Sequence, residues 1–197
     1  MIQSIRRELN GVAYVQGKES RTVAAKQWSF PDLIAEAEKE EGFTAGVDVN
    51  APCFLAPESM IQAIKDECAR TSQPVPETVG QVARTIYESL ALKYRWALER
   101  LEEIKGAGID ALNIVGGGIQ NKLLNQMVAD SLDRPVITGP IEGAAMGNLL
   151  SQAMALGEIK DIDELRQVVR NSEAVETYTP NNTADWEKAY EKLLNLL

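Results

Sequence analysis

Asn113-Ile-Val-Gly-Gly-Gly-Ile-Gln-Asn121 joins a short apolar run to a triple glycine, and then to amides and Lys122. The stretch reads as a strand, a turn and the opening of a helix. Consecutive glycines are costly in conformational entropy, so a stable fold rarely keeps three for packing alone. What they allow is close approach. With no Cβ in the way, backbone N–H groups at a helix N-terminus can lie against a ligand, a geometry suited to phosphate or to a nucleotide's sugar and base. Taken alone, the same residues also fit a plain strand-to-helix turn.

The flanking sequence places this turn in a repeating pattern. Ala111 to Val115 is an apolar strand, Gln120 to Ser131 a helix, Arg134 to Thr138 a second strand, and Ile141 to Leu156 a helix rich in small residues. Strand, helix, strand and helix with short turns predict a βαβ unit in a parallel sheet. Ligands on such sheets sit outside the carboxyl ends of the strands, where the triple glycine lies.

Upstream, Glu77 to about Lys105 is the longest periodic segment, with Val79, Val82, Ile86, Leu90, Leu98 and Leu101 on one helical face. Its aromatic residues Tyr87, Tyr94 and Trp96 are read as core or interface. Residues 1 to 9, Pro31 to Glu41 and a segment opening at Pro57-Glu-Ser-Met are helical, as are residues 161 to 171 and Asp185 to Leu196. Gly11 to Gly17 is a short apolar strand or turn, and Lys18 to Lys26 is polar. Phe43 to Pro57 reads as an ordered loop with Cys53-Phe-Leu55 turned inward, and Val175 to Asn182 as extended. No repeat and no low-complexity linker divides the chain, which predicts one domain over residues 1–197.

Composition narrows the function classes. The chain has 197 residues, 45% hydrophobic and 25% charged, with a net charge of −9. Nucleic-acid binding needs a basic face, which this balance opposes, whereas a few backbone donors can still hold ATP. No apolar run approaches the ~20 residues of a spanning helix, and the N-terminus lacks a signal-peptide core, so a soluble cytoplasmic protein is expected. Cys53 and Cys68 are the only cysteines and there is no histidine. Disulfides, structural zinc and Ser-His or Cys-His nucleophiles are therefore not expected.

Two familiar phosphate motifs fail. A dinucleotide fingerprint needs G-x-G-x-x-G with an acidic residue ~20 positions on. Here the glycines are contiguous, Asn121 stands in place of the third, and Asp130 and Asp133 come too early. A P-loop needs Gly-Lys-Ser/Thr, and Lys122 is followed by Leu123.

Residues 113 to 148 run through Gly116-Gly-Gly-Ile-Gln-Asn-Lys-Leu-Leu-Asn-Gln126 to Gly139-Pro-Ile-Glu-Gly-Ala-Ala-Met-Gly-Asn148. This closely resembles the C-terminal domain of the FGGY carbohydrate kinases, within the actin/hexokinase/Hsp70-like ATPase superfamily. Arg70-Thr-Ser-Gln-Pro-Val-Pro-Glu77, Ile86-Tyr-Glu-Ser-Leu-Ala-Leu92 and Ile2-Gln-Ser-Ile-Arg-Arg7 extend the resemblance over nearly the whole chain, Gly11 to Gln27 being least similar. The wording of the glycine and Gly-Pro-Ile-Glu segments is specifically like the branch that phosphorylates L-rhamnulose.

The resemblance implies an α/β fold of the ribonuclease H-like, actin-like ATPase type, in part only, with a short mostly parallel sheet flanked by long helices. It implies ATP and Mg2+ as cofactors and a ketose sugar as the second substrate. Gly116, Gly117 and Gly118 would form the adenosine loop, with Asn121 turning its amide to the adenine edge and Gln120 assisting. Glu142-Gly-Ala-Ala is read as a close helix-packing segment rather than a catalytic one. In the family the catalytic aspartate, the first phosphate loop and most sugar contacts belong to an N-terminal domain, and a second phosphate loop opens the C-terminal domain. None has a counterpart here. The chain is thus expected to be most of a C-terminal nucleotide-binding domain without its sugar-binding partner domain, inactive alone and carrying no catalytic residue or metal ligand. The full enzyme would make L-rhamnulose 1-phosphate. The alternatives are another kinase of the family, acting on xylulose, fuculose or glycerol, and a non-catalytic binding or interaction domain.

Overall fold

A computed structural model describes residues 1–15, 18–21 and 26–197. They form two compact units, one of residues 1–97 and 184–197, the other of residues 98–183. The chain passes between them twice, once inside the helix Val79–Lys105, where no linker composition can mark it, and once between Thr183 and Ala184.

In the first unit, helix α1 (Ile2–Leu9) is followed by an antiparallel hairpin of β1 (Val12–Val15) and β2 (Lys18–Arg21), with Val12 opposite Arg21. The strand expected in Gly11 to Gly17 is β1. Gln16, Gly17 and Thr22 to Ala25 lie outside the described residues. Helix α2 (Phe30–Glu38) is shorter than the expected Pro31 to Glu41. It starts at a reciprocal cap: the Asp32 N–H donates to Ser29 Oγ (3.2 Å) and the Ser29 N–H donates to Asp32 Oδ2 (2.8 Å). Beyond it the chain turns at Phe43, whose φ of 59° is left-handed.

The ordered loop that follows holds one 3-10 turn, Pro52–Phe54. Only Phe54 of the three residues expected to pack inward does so. Cys53 is exposed and Leu55 is 90% exposed, because a turn of three residues per revolution can aim just one of three successive side chains at the core.

Helix α3 (Met60–Arg70) begins at Ser59 and is capped across the chain by Glu8 of α1, whose Oε2 accepts from the Met60 N–H at 2.9 Å. Helix α4 (Val79–Lys105) spans 27 residues. Ile5, Leu33, Val47, Phe54, Met60, Ile64, Cys68, Val82 and Ile86 make the core of this unit. Tyr87 of α4 is buried, but Tyr94 and the apolar residues Leu101 and Ile104 further along are exposed. The expected apolar face thus runs on past the stretch of helix that is covered. Two backbone turns are pinned to α4: the Phe43 N–H donates to Glu88 Oε2 (2.7 Å) and the Val47 N–H to Ser89 Oγ (3.0 Å). Burial pushes the Glu88 carboxyl up, against the bond from Arg84. Helix α8 (Ala184–Leu194) closes the unit with buried Trp186, Tyr190 and Leu193, Trp186 meeting Phe43 edge-on at 4.8 Å.

The second unit carries the βαβ pattern. β3 (Leu112–Ile114) leads through the glycine turn to α5 (Lys122–Leu132), then β4 (Val136–Thr138), α6 (Gly143–Ala155), α7 (Ile162–Ser172) and β5 (Glu176–Tyr178). β3 and β4 are parallel with Asn113 opposite Ile137, as expected. β5 lies antiparallel to β4 with Thr177 opposite Ile137, so the three-stranded sheet is mixed. Met127, Val128, Ala129 and Leu132 of α5 and Val136 of β4 are buried. Glu102, near the end of α4, accepts from the Ile109 N–H (2.6 Å) and from Arg134, which also donates to the Ile109 carbonyl (2.9 Å). These bonds fix the approach to β3 against the turn into β4. Among the described residues no helix is long and apolar enough to cross a membrane.

Candidate functional site

At the carboxyl end of β3 the chain meets the matching end of β4. The Gly116 N–H donates to the Pro140 carbonyl (3.0 Å) and the Gly139 N–H to the Ile114 carbonyl (2.7 Å), tying the two strand exits together. Gly116 has φ 94° and ψ 179°, a backbone geometry that a Cβ makes strained. Gly117–Gln120 then forms a 3-10 turn, in which the Ile119 N–H donates to the Gly116 carbonyl and the Asn121 N–H to the Gly118 carbonyl, both at 3.2 Å.

The three glycines are not there for packing. A Cβ built on Gly116, Gly117 or Gly118 would find no atom within 4 Å. The backbone therefore faces open space, which fits a ligand lying close against it. By contrast, a Cβ on Gly139 would come 2.8 Å from Val115 Cγ1, and one on Gly143 would come 3.4 Å from Val115 Cβ. Those two glycines make room for Val115. The packing role expected of Glu142-Gly-Ala-Ala is confined to Gly143, since Ala144 and Ala145 are exposed.

The expected helix start at Gln120 shifts to Lys122, because Asn121 is the cap: its Oδ1 accepts from the Leu124 N–H at 3.0 Å. That commits one end of the amide. The Nδ2 end remains the group suited to donate to a ligand. Gln120 is exposed beside it. Glu142 is exposed as well, at the start of α6, and makes no side-chain cap bond there.

Several residues to which the sequence reading gave no role support this turn. Asn125, 2% exposed, donates from Nδ2 to the Ile119 carbonyl (2.7 Å), and its amide lies near enough to the Tyr178 hydroxyl to oppose the rise in that group's pKa. Tyr178 donates to Glu176 Oε2 (2.6 Å), and Lys122 donates to Glu176 Oε1 (2.7 Å). Thr138 Oγ1 exchanges bonds with the Glu176 carbonyl and N–H. The Lys122 ammonium, then the Tyr178 hydroxyl, hold the Glu176 carboxyl below its ordinary range, while Glu176 pushes Lys122 up. Burial, then Glu176, raises Tyr178. The sequence signal was a polar residue, Asn125, one helical turn after Asn121 on a face otherwise turned to the core.

Residues 7–156 match the profile of the FGGY family of carbohydrate kinases, C-terminal domain, a span that contains the glycine turn, Asn121 and Asn125 but ends before Glu176 and Tyr178. The chain belongs to the FGGY family. A rhamnulokinase of Bacteroides thetaiotaomicron is 44% identical over 162 residues, which is 82% of this chain and 33% of that protein. A rhamnulokinase of Bacillus subtilis is 44% identical over 79% of this chain and 32% of its own length. This FGGY chain thus spans about a third of the length of the curated relatives it matches. Its fold is similar to that of a xylulose kinase from Rhodospirillum rubrum (TM-score 0.60, 22% identity, 84% of this chain and 33% of the other). It is similar also to a glycerol kinase of Plasmodium falciparum solved with ADP (TM-score 0.58, 17% identity, 84% and 34%). The actin-like ATPase fold expected from the sequence is the fold of these FGGY structures. Among the described residues no group of three or more His, Cys, Asp or Glu is placed to hold a metal ion.

Proposed function

We propose that this chain supplies the adenosine-binding side of a sugar kinase that transfers the γ-phosphoryl group of MgATP to the 1-hydroxyl of L-rhamnulose. The open backbone of Gly116 to Gly118 at the carboxyl end of a parallel strand is the observation that carries the reading. The loop would take the ribose and α-phosphate against its backbone. Asn121, with its carbonyl held in the helix cap, would donate from Nδ2 to an adenine ring nitrogen, and Gln120 would assist. The preference for L-rhamnulose over xylulose, fuculose or glycerol rests on the rhamnulokinase relatives at 44% identity.

Phosphoryl transfer needs positioning, charge stabilisation and a base for the attacking hydroxyl. The loop residues provide the first alone. Glycines and amides cannot take a proton at neutral pH, and the carboxylate beside the turn, Glu176, is engaged by both Lys122 and Tyr178. The base, the first phosphate loop and most of the sugar contacts belong to the N-terminal domain that the family resemblance implies, and the cytoplasm is the compartment that supplies ATP. The chain by itself binds nucleotide weakly and does not turn over. Titration with ATP should show saturable binding and no ketose-dependent ATP consumption. Consumption that depends on sugar would overturn the division of labour, and self-association with no ATP affinity would favour a non-catalytic interaction domain.

A further inference from the structure

We infer that Asn125, braced by Tyr178 and Glu176, is the positioning residue that fixes the shape of the Gly117–Gln120 turn for its ligand. The inference rests on the nucleotide reading of that turn. A 3-10 turn of four residues is held by few bonds, and this one has poor cover: Gly117, Gly118 and Gln120 are all exposed. A turn left to itself would fray, and a ligand would then have to order it on binding.

Asn125 supplies what the turn lacks. Its buried amide gives one N–H to the Ile119 carbonyl at 2.7 Å, in the middle of the turn, and leaves the other on the side of the Tyr178 hydroxyl, whose titration it influences. A primary amide has two such hydrogens and is the smallest side chain that can reach two acceptors at once. Tyr178 passes its own hydrogen to Glu176 at 2.6 Å, and Lys122, the first residue of α5, closes the chain on the other Glu176 oxygen at 2.7 Å. The last strand of the sheet is thereby bonded to the first residue of the helix that Asn121 caps, with the Tyr178 hydroxyl set beside the residue that holds the turn. Because Asn125 also donates its backbone N–H to the Asn121 carbonyl at 3.0 Å, a shift of Asn125 moves the cap as well as the turn. Asn125 touches no ligand. It acts through Ile119 and Asn121.

The test uses this chain, with Asn125→Leu, Tyr178→Phe and Glu176→Gln as variants and ATP as the probe. Tyr178→Phe keeps the packing and deletes just the hydroxyl, so it serves even where Asn125→Leu fails to fold. Amide exchange at Ile119 and Asn121 is read alongside exchange in β4 and ATP affinity. A lost hydrogen bond of ~1 kcal/mol corresponds to about a fivefold change. The expected result is about fivefold faster exchange at Ile119 and Asn121 with β4 unchanged, and about fivefold weaker ATP binding. A general loss of stability would speed β4 equally and overturn the assignment, as would unchanged exchange at the turn. Altered exchange with ATP affinity equal to the parent's would overturn the positioning role. If the parent chain binds no ATP at all, the nucleotide reading falls and this role with it, whereas the exchange result still reports the brace separately.

Discussion

Substituting two glycines of one loop should separate what the backbone needs from what the ligand needs. Gly118→Val places a Cβ where no atom beyond the chain neighbours lies within 4 Å, at an exposed position with ordinary φ. Nothing in the fold resists it, so stability should change by no more than ~0.5 kcal/mol, as at other surface positions. The added isopropyl group fills the space a nucleotide would use, and ATP affinity should fall at least tenfold, or ~1.4 kcal/mol. Gly116→Ala does the reverse. At φ 94° and ψ 179° a Cβ is strained by about 1–3 kcal/mol, and yielding to that strain would pull the Gly116 N–H from the Pro140 carbonyl. Urea unfolding should show that loss. Binding is best followed by NMR titration with ATP, which reads weak affinities. Gly118→Val binding ATP as tightly as the parent would refute the nucleotide role of the loop. A loss of more than ~1 kcal/mol in that variant would refute the open-space argument, and unaltered stability of Gly116→Ala would refute the strain argument.

Three further outcomes follow from the packing. Gly80→Ala, in a helix where alanine usually adds ~1 kcal/mol, should instead destabilise by about 1–3 kcal/mol, because its Cβ would come 2.7 Å from the Glu36 carbonyl; a higher urea midpoint would contradict this. Glu8→Ala removes the acceptor for the Met60 and Ile61 N–H groups at the start of α3 and should cost about 1–2 kcal/mol, with α3 amides exchanging faster than those of α4. Burial, then Glu67, pushes the Cys68 thiol up to about 11, above its ordinary value of 9.0. The neutral thiol's contribution is therefore complete below pH 9 and is lost as pH rises toward 11, by at most ~2.7 kcal/mol. Unfolding free energies measured from pH 8 to 11 should show this slope, and Cys68→Ala should flatten it.

Much of the fold was legible because it is local. Helix periodicity located α1 to α8 to within a few residues, and the apolar runs located β3 and β4. One misplacement has a clear cause, a side-chain bond that overrode the periodic pattern. Asn121 moved the start of α5 from Gln120 to Lys122 by capping it, and Phe43, held by Glu88, accompanies an earlier end to α2. The Cys53-Phe-Leu55 expectation failed for another reason: apolar character says a residue can be buried, not that a tight turn will aim it inward.

By itself, the sequence determined the glycine turn, its place after a parallel strand and the family to which the chain belongs. Each of these is written in contiguous residues, where spacing and the absence of side chains act over a few ångströms. Tertiary structure decided which glycines face open space and which make room for Val115, since Gly118 and Gly139 look alike in a string. It also decided the partners of the turn. Lys122 and Glu176 stand 54 residues apart, and Asn125 and Tyr178 are nearly as distant. Such pairs meet only after β5 has added to the edge of β4, an event governed by sheet closure rather than by any local pattern.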